Sequence, residues 1–134
     1  MYKFPSDEWA NAYFEKLNSS AEYKDSARDW EGDITLIISA DDTMKSSAYL
    51  YLDLYHGICR KYIFTTDLNS IPKSEFTYSG KYGNWKKLIN GDVDPIKGIL
   101  TGKFKLKGSM AKIMRYTKAA KIMVNTASQV PSVF

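Results

Sequence analysis

His56 and Cys59 stand three residues apart and are the only histidine and the only cysteine in a chain of 134 residues. They are the first places to look for chemistry. Catalysis by a nucleophile needs a base poised beside it. His56, however, precedes Gly57 where an apolar run closes and a turn is expected, which reads as a surface or hydrogen-bonded structural histidine. The two side chains cannot fill a tetrahedral zinc site. Cys59 reads as a buried, inert thiol, and without a second cysteine it forms no internal disulfide. Asp41 and Asp42 are the only adjacent acids in the strand-rich middle, and they lie between two predicted strands, where aspartate is an ordinary turn residue. Their loop lacks the regular series of oxygen ligands that calcium requires. Gly80, Gly83 and Gly91 match neither nucleotide-binding fingerprint. Nothing in this inventory argues for an enzyme or for a cofactor.

The elements that would position a site change period along the chain. Ser6 can cap a first helix, with Asp7 and Glu8 in its first turn. Trp9, Tyr13 and Leu17 then recur at helical spacing. Ser19 and Glu22 have the spacing of a capping box, and Tyr23, Ala27 and Trp30 continue a second stripe that Gly32 ends. From Ile34 to Ser39, from Tyr49 to Tyr55 and again from Cys59, three runs read as neighbouring antiparallel strands. In "YLYLDLYHG", Leu50, Leu52 and Leu54 point to one face and Tyr49, Tyr51 and Tyr55 to the other. "EFTYSG" adds a fourth strand, with Phe76 and Tyr78 sharing a face.

The pattern then returns to helix. Tyr82, Trp85, Leu88 and Ile89 form a short stripe, and Asp94 before Pro95 opens "PIKGIL", which contains Ile99. "GKFKLKG" alternates cleanly, with Phe104 and Leu106 on one face and Lys103, Lys105 and Lys107 on the other, as a fifth strand. Ser109 caps a longer helix carrying Met110, Ile113, Met114, Thr117, Ala120 and Val124 along one side. Ile122 and Met123 fall off that stripe, so a break or a second covered side is expected near the end of that helix. An apolar tail follows.

Length and composition bound the whole. A chain this long forms one domain, residues 1–134, with a core that needs no staples. No apolar run approaches the roughly 20 residues needed to cross a bilayer. With no secretory leader or sorting signal in view, the expected setting is cytoplasmic. The net charge of +4 is uneven: residues 1–33 hold eight acids against four bases, and residues 81–121 hold eleven bases against two acids. A basic half of this kind either solubilises an apolar surface or meets anionic lipid headgroups. No nucleic-acid-binding motif accompanies it, so nucleic acid is not an expected partner.

One segment carries a resemblance. "DPIKGILTGKFKLKGSMAKIM", Asp94 to Met114, resembles the sterol carrier protein family, a sterol or lipid transfer domain. The matching positions are Asp94 and Pro95 at a helix start, Gly102, Lys103, Lys105 and Gly108 bounding the last strand, and Ser109 and Met110 opening the last helix. Ser109 stands where Asp or Asn is frequent in the family, and the tail lacks the peroxisomal ending of some eukaryotic members. The order of elements agrees over almost the whole chain.

The resemblance implies an α+β fold, with a five-stranded, mainly antiparallel sheet, helices over one face and an apolar tunnel between the layers. It further implies noncatalytic binding or transfer of a sterol, fatty acid, fatty acyl-CoA or phospholipid. Leu50, Leu52, Leu54, Phe104 and Leu106 would face the tunnel, and Ile99, Ile113 and Met123 would join them. Trp85 and Leu88 would form a mobile rim or simply anchor their helix. Met110 and Met114 either pack as core or adapt to an apolar ligand. The partners expected on this reading are a lipid or fatty acyl ligand and, during exchange, an anionic membrane surface. The alternative is a structural or protein-interaction module with a closed core, dimeric through the tyrosine-rich sheet face.

Overall fold

Tyr2–Lys3 forms a two-residue strand, β1, that pairs in parallel with Ser132–Val133 near the other end of the chain. Hydrophobic periodicity gave no sign of this pairing. It accounts for the apolar tail: Trp9 Nε1 donates to Ser132 Oγ (2.8 Å), and the Phe4 and Phe134 rings meet edge to face at 6.0 Å.

In the computed structural model, which describes residues 1–134, the first helix is α1, Asp7–Asn18. Ser6 caps it by accepting the N–H of Trp9 (3.1 Å), and it buries Trp9, Ala10, Tyr13 and Leu17. α2 runs Ala21–Ser26 and is capped by Ser20, one residue beyond the expected Ser19. Ser19 is held back because its N–H and hydroxyl both bond to the Glu15 carbonyl, which closes α1. α2 also stops early, with Ala27 at its C-cap, so Trp30 packs from the following loop rather than from a helical stripe.

Five strands make the main sheet: β2 (Ile34–Ser39), β3 (Ala48–Tyr55), β4 (Ile58–Thr65), β5 (Phe76–Lys81) and β6 (Phe104–Lys107). Their order is β4-β3-β2-β5-β6; only the β2–β5 pair is parallel, so the sheet is mixed and mostly antiparallel. Register builds the core face. Ile34, Leu36 and Ile38 sit opposite Leu52, Leu50 and Ala48 on one side and Phe76, Tyr78 and Gly80 on the other. His56 and Gly57, both at positive φ, make the two-residue β3–β4 turn, as a primed hairpin turn requires. A bulge follows: Leu52 pairs Tyr62 but Leu54 pairs Cys59, so β4 gains a residue and Cys59 and Tyr62 both reach the core side despite their odd spacing.

Four helices complete the layer: α3 (Tyr82–Ile89), α4 (Pro95–Leu100), α5 (Met110–Met114) and α6 (Thr117–Ser128). The single long helix expected from Ser109 is two, broken after Met114; near its end it is covered on a second side instead, with Ile122 and Met123 packed on the core. Tyr116 leaves helical geometry, packs edge to face on Trp30 at 5.0 Å and donates its hydroxyl to the Asp29 carbonyl (3.3 Å). Thr117 Oγ1 donates to the Met114 carbonyl, closing α5 (2.9 Å). No helix is long and apolar enough to cross a membrane.

Candidate functional site

Leu36 lies mid-strand in the centre of the sheet, on the face the helices cover, yet it keeps accessible surface. The reason is a cavity of about 130 Å³ between sheet and helices. Its wall is built from 26 residues, all aliphatic or aromatic apart from Pro95, and none is charged. The sheet contributes Ile34, Leu36 and Ile38 from β2, Leu50 and Leu54 from β3, Tyr78 from β5 and Leu106 from β6. The helices contribute Trp9 and Tyr13 from α1, Tyr23 from α2, Trp85 and Leu88 from α3, Ile99 from α4, and Ala119, Ala120, Met123 and Val124 from α6.

Six polar handles of the aromatic wall are bonded into the protein. Tyr78 donates its hydroxyl to the Pro95 carbonyl (2.8 Å), Tyr13 to the Met123 carbonyl (3.1 Å) and Trp85 Nε1 to the Ile37 carbonyl (2.9 Å). Trp30 Nε1 reaches the Gly32 carbonyl (2.8 Å), while Trp9 and Tyr116 are held by the Ser132 and Asp29 contacts already described. Each bond fixes a ring and removes a donor from the cavity. Burial pushes the Tyr78 and Tyr13 hydroxyls up from their ordinary range, so both rings stay neutral.

Of the residues expected to line a tunnel, Leu50, Leu54, Trp85, Leu88, Ile99, Leu106, Ile113 and Met123 border this cavity. Leu52, Phe104, Met110 and Met114 do not. Leu52 faces the same layer but is fully buried, with Ile34 on one neighbouring strand and Tyr62 on the other. Phe104 is claimed by aromatic packing: it stacks on Tyr78 at 4.8 Å and meets Trp85 edge to face at 5.2 Å. Gly80 makes that possible, since a Cβ there would fall 2.5 Å from the Phe104 ring. Met110 and Met114 sit on the short α5, where Ile113 turns inward and Met114 is left 49 % exposed.

Spacing places Tyr23, Ala120 and Val124 on helical stripes without marking them as lining residues, and it passes over Ala119 and Ala127. The available signal was the run of small residues at helical spacing on α6, which leaves space instead of filling it.

The reactive residues are occupied elsewhere. His56 Nε2 pairs with Glu31 at 2.6 Å on the surface, and the buried Cys59 has its thiol pushed up to about 12 by burial. Asp41 is a turn residue, as its position between two strands predicts, and its carboxylate accepts only protein N–H and O–H groups. No cluster of ligating side chains suits a metal ion. On the opposite sheet face, Tyr51 is 6 % exposed and donates to Asp33 Oδ2 (2.7 Å), and Arg60 lies over the Tyr55 ring at 4.3 Å.

Comparison with known proteins agrees with this architecture. No curated protein matches the chain in sequence. Among solved structures, a crystal structure of sterol carrier protein 2 is similar at 29 % identity, covering 92 % of this chain and 95 % of that one, with a TM-score of 0.83. A solution structure from Thermus thermophilus, described as a conserved hypothetical protein and candidate sterol carrier protein, is similar at 28 % identity and a TM-score of 0.86, covering 99 % and 93 % of the two chains. Sterol carrier protein 2 from Yarrowia lipolytica in its apo form, at 17 % identity and a TM-score of 0.60 over 96 % of each chain, shares the fold. The sequence model of the SCP-2 sterol transfer family matches residues 10–121, and with the sheet order, the helix layer and the uncharged cavity between them, the chain belongs to that family.

Proposed function

We propose that this protein binds and carries a lipid in the cavity between sheet and helices, without covalent chemistry. The observation that supports this most directly is the wall itself: a space between sheet and helices bordered by 26 residues and no charge, in a sterol-transfer fold. Such a wall offers an apolar ligand removal from water, at about 0.8 kcal/mol for each buried methylene before ordering costs. It offers no nucleophile, no base and no metal ligands. The lysine-rich half of the chain supplies an attraction to anionic headgroups during exchange.

The test is titration of the delipidated protein with a fluorescent fatty-acyl probe, displacement by unlabelled sterol, fatty acid and acyl-CoA, and then transfer of the bound probe to vesicles. Saturable, displaceable binding and faster transfer to anionic than to zwitterionic vesicles are expected. A folded sample that binds none of these ligands overturns the lipid reading and leaves the protein-interaction module in its place.

A further inference from the structure

Every aromatic N–H or O–H around the cavity has an acceptor in the protein except one, the hydroxyl of Tyr23. Tyr23 is 1 % exposed and borders the cavity. No side-chain nitrogen or oxygen that is sealed from open space lacks a hydrogen-bond partner, so the Tyr23 hydroxyl must touch open space. Tyr23 is one of the residues bordering the cavity, and its hydroxyl lies towards Tyr13 and Cys59. The backbone that carries it is held in the first turn of α2, where Tyr23 N–H donates to the Ser20 side chain (3.1 Å). A hydroxyl with no partner in the protein and almost no exposed surface is free to bond an oxygen that a ligand brings to it.

We propose that the Tyr23 hydroxyl is the internal polar anchor of the cavity, taking a neutral oxygen, an alcohol or a carbonyl, at the buried end of an otherwise apolar ligand. This rests on the lipid-binding reading above and adds a direction and a selectivity to it. A carboxylate is excluded from that end, because none of the lining residues is charged and an unpaired buried anion is far more costly than an unpaired hydroxyl. Burial pushes the Tyr23 hydroxyl up from its ordinary range, so it remains a neutral phenol that donates to a carbonyl or exchanges hydrogen bonds with an alcohol. A fatty acid therefore enters tail first and leaves its carboxylate towards solvent, out of reach of Tyr23. An alcohol of the same chain length can enter head first.

Tyr23→Phe separates these cases, because it keeps the ring and removes only the hydroxyl. A long-chain alcohol, the alkyl chloride of the same length and the fatty acid of the same length compete for the fluorescent probe in wild type and variant, with circular dichroism to confirm the fold. The alcohol should bind about fivefold more weakly to Tyr23→Phe, the worth of one neutral hydrogen bond, while the chloride and the acid bind both proteins equally. Equal affinity of the alcohol for the two proteins overturns the anchor, as does an equal loss for the acid. Failure of all three ligands to bind folded wild type overturns the lipid reading beneath it.

Discussion

At Asp41 one carboxylate closes the β2–β3 turn and also reaches the start of α3. Its Oδ1 accepts from Thr43 N (2.8 Å), Thr43 Oγ1 (2.8 Å) and Met44 N (3.2 Å), and its Oδ2 accepts from Gly83 N (2.8 Å). These bonds, led by the Thr43 N–H, draw its carboxyl down from 3.8 to about 2. A carboxylate whose folded value lies below its unfolded one adds stability above the unfolded value, and that stability is lost as pH falls through the folded value. Asp41→Asn should therefore lower Tm at neutral pH, and wild type should lose its advantage between about pH 4 and about pH 2. Parallel Tm curves over that range would remove the charge from the account. The sequence marks Asp41 as a turn residue, because Asp in a short loop is a local signal. Its hold on Gly83 ties the turn to the first turn of α3, 42 residues away, and leaves no local trace. The same limit applies to Tyr51, which alternation assigns to the uncovered sheet face. Its hydroxyl bond to Asp33, which helps bury it there, depends on tertiary placement.

Elements were legible where their ends are written locally. Asp94 caps α4 by accepting from Ile96 N and Lys97 N (3.0 Å each), and the strict alternation of Phe104 to Lys107 became β6. The α5–α6 break and the pairing of β1 with Ser132–Val133 were not legible, because Tyr116 leaves the helix to meet Trp30 and these two segments meet only in the folded molecule. α5 is the element most dependent on such distant partners. Lys112 Nζ donates to the Glu31 carbonyl (2.6 Å) and Glu75 Oε2 (2.9 Å) and lies over the Trp30 ring at 4.9 Å. Five residues form no stable helix alone, so this contact and Ile113 hold α5 at the cavity wall. Lys112→Met keeps the stem and removes the ammonium. Because the pair is partly exposed, the cost should be only about 1 kcal/mol, but hydrogen exchange in α5 should quicken while that in β2 and β3 stays slow. Unchanged exchange in α5 would show that Ile113 alone suffices.

For the whole molecule, the cavity is the difference between the space the helices enclose and the side chains that fill it. That difference is why the site was only partly legible. Alternation placed Leu50, Leu54 and Leu106 on the inner face, but it cannot distinguish a residue that borders empty space, such as Leu36, from one packed on every side, such as Leu52. α6 leaves the room, with Ala119 and Ala120 towards the cavity where larger residues would close it. At about 130 Å³, and with roughly 10–15 Å³ of such volume needed for each water-sized group, the space takes a chain of on the order of ten atoms. Lipids in a series of increasing length should gain about 0.8 kcal/mol, or about fourfold in affinity, with each methylene until the space is full. Beyond that length the helices must part, so the gain should flatten. Ala120→Leu extends a side chain into the same space from an α6 position that tolerates a strong helix former. Its break point should come at a shorter chain, with Tm unchanged or raised. A series whose break point is the same in both proteins would place the acyl chain outside this cavity, whatever the affinity.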